Sequence, residues 1–305
     1  MNKKIEIIKE SDKADLITHS GNFHADEVFA TVVLSKLIDK ENITLCRTSA
    51  ITQNEKGIVY DIGYGKYDHH QPDGNGERLN GVKYAAFGLI WKAFGKEYLK
   101  SINATNIDDV WEVIDKKLVQ NVDSIDNGQL KISTQFDFEV ITLSNVISMY
   151  NSNWDDENEN QDEQFLKALD LANNIFERIV KNAISKMNAK EKIEIAIKKS
   201  KNHILILDEF MPWKEFLLES ENGKDILFAV FPSNRGGYNV YAVPKELGSF
   251  ESRKLFPESW AGLKDEDLQK VSGVETATFC HTNRFLSVAK SKEDALKLAE
   301  IAIKD

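Results

Sequence analysis

Short β-branched segments alternate with segments of helical periodicity in the first part of the chain, and this alternation constrains the fold more than any other feature. Residues 16–19 are typical of the end of a buried strand, and residues 26–37 carry apolar side chains at helical spacing. Two more short strands are predicted at residues 43–46 and 58–61. Strands that alternate with helices predict an α/β layer with a largely parallel sheet.

Helical spacing continues beyond these strands, in residues 82–94, 107–122 and 138–149. The stretch 151–164 contains six acidic residues and no basic residue, so it is predicted to be a solvated loop. Residues 165–199 return to helical spacing over a length that suits one or two connecting helices.

The last third predicts a second domain of α+β type. Strands are expected at residues 204–207, 226–231 and 239–243, and a final helix begins with the capping-box pattern of Ser291 and Asp294. The 305 residues also suit roughly two domains of about 150 residues each. We therefore predict three parts, namely a parallel-sheet domain (1–164), a helical spacer (165–200) and a smaller α+β domain (201–305).

Composition excludes several classes of protein. A net charge of −10 provides no broad basic surface for coating a polyanion. No apolar run is long enough to cross a membrane, and the first residues lack the apolar centre of a signal peptide, so a cytoplasmic location is expected. The two cysteines, Cys46 and Cys280, are far apart, which predicts buried thiols rather than a disulfide framework or a thiolate zinc site.

Four of the six histidines lie in two short clusters within the first seventy residues. The first cluster has the sequence THSGNFHADE (18–27), and the second combines YDIG (60–63) with YDHH (67–70). Both are predicted to follow strands, at the edge of an open α/β sheet where ligands bind. Imidazoles mixed with carboxylates are ligands suited to Mn, Fe, Co, Ni or Zn.

Any one of these histidines could instead be an ordinary core or capping residue, but the set favours a metal site. Because successive strand residues point in opposite directions, at most one of His69 and His70 is expected to bind a given metal. A further acidic group, Asp123 with Asp126, follows the third predicted helix and is either a turn or a source of carboxylates for a two-metal site.

These motifs resemble the DHH phosphoesterase superfamily, which includes RecJ-type exonucleases and family II pyrophosphatases. The chain is more closely similar to the Myg family (melanocyte proliferating gene family), whose members are also labelled metal-dependent protein hydrolases. The similarity runs from about residue 14 to residue 303. It is carried by THSGNFHADE (18–27), YDHHQ (67–71), FGLIW (87–91), VDSIDNG (122–128) and WAGL (260–263).

The resemblance implies two divalent metal ions, manganese first, with Mg, Co or Zn as alternatives. It implies that the metal ligands are His19, His24, Asp26, Asp61, His69 and Asp123, with Asp61 bridging both ions. His70 would face the substrate phosphate and Asp68 would orient the histidines, which makes His70, Asp68 and Asp61 the catalytic set. The superfamily usually has aspartate at the position of His24, which leaves open whether His24 binds metal directly, and Asp126 remains the alternative to Asp123.

Substrate-binding residues are expected in the second domain. The segment SNRGGY (233–238) lies between two predicted strands, and it is either a plain hairpin turn or an anion site in which Gly236 and Gly237 admit phosphate and Arg235 binds its oxygens. His281 and Arg284 are further candidates, and Arg253 is a weaker one.

The family resemblance implies 3′-to-5′ exonuclease activity. We therefore expect a two-metal-dependent phosphodiesterase that acts on RNA or short oligonucleotides. Two alternatives remain at this stage, namely a small-molecule phosphohydrolase acting on pyrophosphate or a nucleotide and a nucleotide-binding regulatory module without catalysis. No membrane partner is expected, and the oligomeric state stays open, with a homodimer among the options.

Overall fold

A computed structural model of the protein describes residues 3–156 and 160–305. It divides into two compact units, Met1–Ile184 and Ser185–Asp305. Within the predicted acidic loop, Glu157 and Glu159 lie outside the described residues. Among the described helices, none is both long and apolar enough to cross a membrane.

The first unit contains a four-stranded sheet with the strand order β1-β3-β2-β4. Its strands are β1 (Lys4–Ile8), β2 (Leu16–His19), β3 (Asn42–Thr48) and β4 (Ile58–Val59). Every pairing is parallel, and Ile17 of β2 lies opposite both Cys46 and Val59. The prediction of an α/β fold with a parallel sheet is therefore confirmed, although the sequence did not indicate β1.

Helices complete the first unit. They are α1 (Ala25–Leu37), α2 (Ala86–Ser101), α3 (Ile107–Ile114), α4 (Gln120–Asp126), α5 (Leu143–Ser148) and the first part of α6 (Gln161–Lys199), which continues into the second unit. A π-helical turn at Asp115–Val119 joins α3 to α4. The first three turns of α1 are buried on every side, and Phe29 of α1 stacks on Phe87 of α2 with ring centroids 5.3 Å apart. This apolar packing holds the start of α1 rigidly beside the sheet.

The second unit is built on a mixed five-stranded sheet with the order β5-β6-β7-β9-β8. Its strands are β5 (Ile204–Ile206), β6 (Phe228–Pro232), β7 (Tyr238–Ala242), β8 (Ala277–Cys280) and β9 (Leu286–Ala289). Only β5 and β6 pair in parallel, and the other neighbours are antiparallel. The helices are α7 (Lys214–Glu219), α8 (Asp265–Ser272) and α9 (Lys292–Lys304).

Two features of the second unit agree with the sequence. Ser291 caps α9, because its hydroxyl accepts a hydrogen bond from the backbone N–H of Asp294 at 3.1 Å. Cys280 in β8, like Cys46 in the first unit, is a buried free thiol.

Three predicted elements differ from those observed. The strand predicted at residues 58–61 ends at Val59, and the helix predicted from residue 82 begins at Ala86. The helix predicted at residues 138–149 is only α5, because Thr142 and Asn145 form a reciprocal capping box that fixes its first turn. The residues before Thr142 are therefore a loop.

Candidate metal centre

The two histidine clusters meet at the carboxyl ends of β2 and β4. His19 is the last residue of β2, and Asp61 follows β4 by two residues. The first turn of α1 brings Asp26 and Glu27 to the same edge, since α1 follows β2 through a short loop. Parallel strands place their carboxyl ends together, which is why segments some forty residues apart in sequence share one site.

Asp61 lies at the middle of the cluster. Its carboxylate is almost fully buried, with Oδ2 3.3 Å from Nε2 of His19 and Oδ1 3.3 Å from Nε2 of His69. Its backbone has a positive φ of 56°, and its N–H donates to the carbonyl of Tyr67 at 3.0 Å. Aspartate tolerates this conformation better than most residues, and such backbone strain is concentrated at functional sites.

The DHH segment is a loop rather than a strand, so the expectation that His69 and His70 point in opposite directions is wrong. Their rings are 4.4 Å apart, and Nδ1 of His70 lies 3.6 Å from Oδ1 of Asp61. Asp68 holds His70 through Oδ1, 2.7 Å from Nδ1, while its Oδ2 accepts the backbone N–H of Tyr64. In this loop, the side chains of His69 and His70 can both face the carboxylate of Asp61, which the alternation of a strand would not allow.

The start of α1 supplies a carboxylate that the sequence did not single out. Both carboxylate oxygens of Glu27 accept the backbone N–H of His24 at 2.9 Å, and Oε1 lies 3.1 Å from Nε2 of His19. The donor atoms of His19, His24 and Glu27 lie within 4.8 Å of one another. Glu27 is three residues after His24, which is the N3 position of a capping box. This spacing is the sequence signal that could have placed Glu27 beside His24.

The loop that carries His24 is fixed from both sides. Asn151 accepts the backbone N–H of Phe23 and donates to its carbonyl, each at 2.9 Å. Arg47 donates to the carbonyl of Gly21 at 2.6 Å and forms an ion pair with Asp162 at 2.9 Å. His24 itself is exposed, but these contacts fix the backbone of the loop that carries it.

Of the two acids at the end of α4, Asp126 and not Asp123 lies in the cluster. Oδ2 of Asp126 is 3.2 Å from Nε2 of His69, and its donor atoms lie within 4.8 Å of those of His24 and Asp26. Asp123 is fully buried, accepts the backbone N–H of Gly88 at 2.9 Å and pairs with Arg78 at 2.8 Å. An arginine partner occupies Asp123, whereas Asp126 has none among the described residues.

Charges in the cluster raise the pKa values of His19 and His69. Burial would lower the pKa of His19, but hydrogen bonds to Asp61 and Glu27 raise it to about 11. For His69, burial again acts to lower the pKa, and the hydrogen bond and charge of Asp61 raise it. The carboxylates therefore draw positive charge into the site.

The carboxylates of the cluster also repel one another, which affects the pKa of Asp26. Burial and the negative charges of Asp61, Asp126 and Glu27 raise the pKa of Asp26 well above its usual range. Burial would also raise the pKa of Asp61, but hydrogen bonds from the two histidines lower it. A divalent cation would relieve this repulsion.

Two buried oxygens in the cluster are poorly paired within the described part of the chain: Oδ1 of Asp26 accepts no hydrogen bond, and Oδ1 of Asp61 has a 3.3 Å contact with Nε2 of His69. An unpaired buried acceptor is costly and calls for an ion or a water molecule as partner. Together with the mixed imidazole and carboxylate donors, these oxygens fit a divalent transition metal.

The sequence also matches a family model along most of its length. Residues 15–303 match MYG1_exonuc, described as "Uncharacterised protein family (UPF0160)". The chain belongs to this family. The residues of the metal cluster, from His19 to Asp126, lie within the matched range, so the cluster is part of the family domain.

Members of the MYG1 family from distant organisms are similar to the chain. A "MYG1 protein" of Dictyostelium discoideum is 32% identical, covering 93% of this chain and 94% of the relative. The "MYG1 protein YER156C" of Saccharomyces cerevisiae is 31% identical, covering 99% and 98%. The "MYG1 exonuclease" of Mus musculus is 30% identical, covering 94% and 84%. No solved structure matches the chain.

The substrate-binding candidates of the second unit fall into different environments. Arg235 is exposed in the turn between β6 and β7, and its guanidinium has no ion-pair partner among the described residues. Gly237 has a structural role, because a Cβ there would lie 2.4 Å from the carbonyl oxygen of Ala289. Gly236, with a φ of 91°, has open space around it.

The other three candidates make internal contacts. Nη1 of Arg253 donates to the carbonyls of residues 223, 224 and 226 at 2.6–2.9 Å, which ties this guanidinium to a loop. Arg284 donates to the carbonyl of Phe256 at 3.2 Å, and Nδ1 of His281 accepts the backbone N–H of Asn283 at 3.0 Å. Arg235 is thus the freest cation of the set.

Proposed function

We propose that the protein is a two-metal-dependent phosphodiesterase, acting as a 3′-to-5′ exonuclease on RNA or short oligonucleotides. The observation that carries the proposal is the position of Asp61, whose two carboxylate oxygens face different histidines, each at 3.3 Å. A carboxylate that bridges two cations uses its two oxygens in this way.

The donors around Asp61 form two sets. The first set has His19 on the Oδ2 side of Asp61, with donor atoms of His24 and Glu27 within 4.8 Å of those of His19; His24 also lies that close to Asp26 and Asp126. The second set has Asp26, His69 and Asp126 on the Oδ1 side, where Nε2 of His69 is 3.6 Å from Asp26 and 3.2 Å from Asp126. Manganese is the proposed metal because mixed nitrogen and oxygen donors suit it.

When bound, two such cations supply Lewis-acid chemistry, polarising a phosphoryl oxygen and making water more acidic. The chain's own contribution is orientation and charge. Asp68 fixes the ring of His70 through the 2.7 Å contact with Nδ1, which leaves the other ring nitrogen of this half-exposed side chain for a substrate phosphate. His70 would contact that phosphate through this nitrogen.

The second unit carries the other proposed substrate-binding residues. Arg235 is the proposed phosphate ligand there, since it is exposed and unpaired within the described residues, and a planar guanidinium binds phosphate oxygens in pairs. Gly236 and Gly237 would shape its turn. His281, Arg284 and Arg253 are proposed as secondary contacts.

The relatives support the choice of nuclease chemistry. The mouse relative bears the name exonuclease, and the RNA substrate and the direction of digestion follow from the family resemblance of the metal motifs. The net charge of −10 argues for a small number of phosphate contacts and against a long nucleic-acid track.

Digestion of end-labelled RNA tests the proposal. An RNA oligomer labelled at its 5′ end should shorten stepwise when the protein and Mn²⁺ are added, and the same oligomer labelled at its 3′ end should release labelled mononucleotide at once. Cleavage of pyrophosphate or a free nucleotide with intact RNA would replace the exonuclease with a small-molecule phosphohydrolase. Binding of a nucleotide without turnover in Mn²⁺, Mg²⁺, Co²⁺ or Zn²⁺ would contradict catalysis.

A further inference from the structure

A long loop joins α4 to α5 directly beside the candidate metal centre. The α4–α5 loop, residues 129–142, contains neither helix nor strand, although every residue in it is described. Connections of more than about twelve residues without secondary structure are uncommon in compact domains, and they are usually functional.

This loop exposes an unusual amount of apolar surface. Phe136 is 62% exposed and Phe138 is 60% exposed. Six of its apolar side chains are exposed, namely Leu130, Ile132, Phe136, Phe138, Val140 and Ile141. Exposed apolar side chains concentrated in one loop are typical of a binding surface.

The two phenylalanine rings stack nearly parallel to each other. Their centroids are 5.9 Å apart and their planes differ by 10°. They border a cavity of about 570 Å³, within the size range of small-ligand sites. Hydroxyl and amide groups of Ser133, Thr134 and Asn145 also line it, so polar atoms are available beside the rings.

The first end of the loop is attached near the metal cluster. The backbone N–H groups of Gln129 and Leu130 donate to the carbonyl of Ser124 at 2.8 and 2.9 Å. The cavity extends to Ile125, the residue before Asp126. A molecule in the cavity therefore lies next to the helix turn that carries a candidate metal ligand.

We propose that Phe136 and Phe138 form a platform on which a base of the oligonucleotide stacks while its phosphate is at the metal centre. This inference rests on the proposed function and adds a base-binding subsite to it. Aromatic rings stack on any base, which suits an enzyme that removes nucleotides without regard to sequence. The loop has one basic residue, Lys131, and two acidic residues, Asp137 and Glu139, so its charge favours contact with bases over contact with phosphates.

The test compares the double variant Phe136→Ala/Phe138→Ala with wild type on two substrates. One substrate is an RNA oligomer, and the other is the same oligomer without bases in its 3′-terminal nucleotides. The double variant should raise KM for the normal oligomer about tenfold or more, because loss of stacking weakens binding by that order. KM for the abasic oligomer should stay unchanged. Equal effects on both oligomers, or no effect on either, would overturn the platform.

Two further variants separate stacking from general damage. Phe250→Ala removes a fully exposed phenylalanine of the second unit and should leave both KM values unchanged. Phe138→Trp keeps an aromatic surface and should preserve the preference for the normal oligomer. Loss of that preference in Phe138→Trp, with its folded circular dichroism spectrum intact, would contradict stacking.

Binding in EDTA distinguishes the subsite from the catalytic proposal. Fluorescence anisotropy of labelled oligomers should give tighter binding of the normal oligomer than of the abasic one, with the difference lost in the double variant. That result supports the platform even if wild type degrades no RNA, an outcome that would refute the proposed function alone. If the double variant instead abolishes self-association in sedimentation velocity and leaves oligomer binding unchanged, the loop is a contact between copies of the chain and the platform is wrong.

Discussion

At the level of single residues, Asp61 lies at the middle of the candidate metal centre. Its carboxylate is buried between two imidazoles, and its backbone has a positive φ. The role of the carboxylate depends on its charge, so a change of one side-chain atom tests it.

Asp61→Asn keeps the shape of the side chain and removes its charge. We expect it to abolish phosphodiesterase activity and to lower the amount of Mn²⁺ that the protein retains, because an amide binds a cation far more weakly than a carboxylate does. The matched variant Asp68→Asn removes the charge beside His70, outside the proposed ligand set, and should cost about 10–100-fold in activity with metal content unchanged. Normal metal content in Asp61→Asn would rule out the bridging role.

The buried carboxyl group of Asp123 predicts a pH dependence of stability that does not depend on bound metal. Burial raises its pKa to about 7, although Arg78 acts against that shift. A group with a raised pKa in the folded state stabilises the fold below its unfolded pKa of 3.8, and that stability is lost as the pH rises towards 7.

Urea denaturation of wild type and Asp123→Asn, both in EDTA, measures this effect. The free energy of unfolding of wild type should fall relative to that of the variant between about pH 4 and pH 7, since only wild type ionises there. A difference between the two proteins that does not change with pH would show that Asp123 is already ionised at pH 4.

Residue types and spacing predicted His19, Asp26, Asp61 and His69, and the structure brings these four together. The choice between Asp123 and Asp126 could not be made in this way. Arg78, forty-five residues before Asp123, occupies that carboxylate, and only the fold places it there.

At the level of elements, the start of α2 is held by carboxylates from two other helices. Asp26 of α1 accepts the backbone N–H of Ala86 at 3.2 Å, and Asp123 of α4 accepts that of Gly88 at 2.9 Å. Arg78 joins Asp123 to Asp115 at the π-helical turn, with both ion pairs at 2.8 Å. These side chains satisfy N–H groups that a helix leaves free at its start.

Gly88→Ala tests this packing. A Cβ at residue 88 would lie 1.9 Å from Oδ2 of Asp123, so Asp123 or α2 has to move. We expect a loss of about 1–3 kcal/mol in the free energy of unfolding, measured by urea denaturation, which is typical of overpacked sites. Gly65→Ala is the control, since nothing lies within 4 Å of its Cβ position. Equal stability of the two variants would argue against the tight contact.

The elements that sequence reasoning predicted well are those whose pattern is local. Strand β2 and helix α1 show their apolar spacing directly, and Ser291 marks the start of α9. Residues 138–142 were misassigned because their apolar side chains suggested a helical face, yet they are exposed or half-buried parts of a loop. Periodicity alone cannot distinguish apolar residues that are buried from apolar residues that are exposed.

At the level of the whole molecule, the chain carries a net charge of −10, and Arg235 is the one proposed phosphate ligand of the second unit whose guanidinium is free within the described residues.

The division of the chain into two compact units falls between Ile184 and Ser185, which is inside the single helix α6. The helical spacer predicted at residues 165–200 corresponds to most of this helix.

The net negative charge of the chain predicts that RNA binding depends only weakly on salt concentration. Binding of an RNA oligomer in EDTA should have a slope of log Kobs against log salt of about −1 to −2, which corresponds to two or three phosphate contacts on a single strand. Fluorescence anisotropy at several NaCl concentrations measures it. A slope of about −5 or steeper would require a basic track along the protein and contradict a compact phosphate site.

Metal analysis after equilibrium dialysis tests the central claim most directly. Wild-type protein is dialysed against buffered Mn²⁺, and the bound metal is determined by inductively coupled plasma mass spectrometry beside Asp61→Asn. The arrangement of donors on both sides of Asp61 predicts about two ions per wild-type chain and a clear loss in the variant. Wild-type protein that retains no Mn²⁺, or a variant that retains as much as wild type, would contradict a two-metal centre built around Asp61.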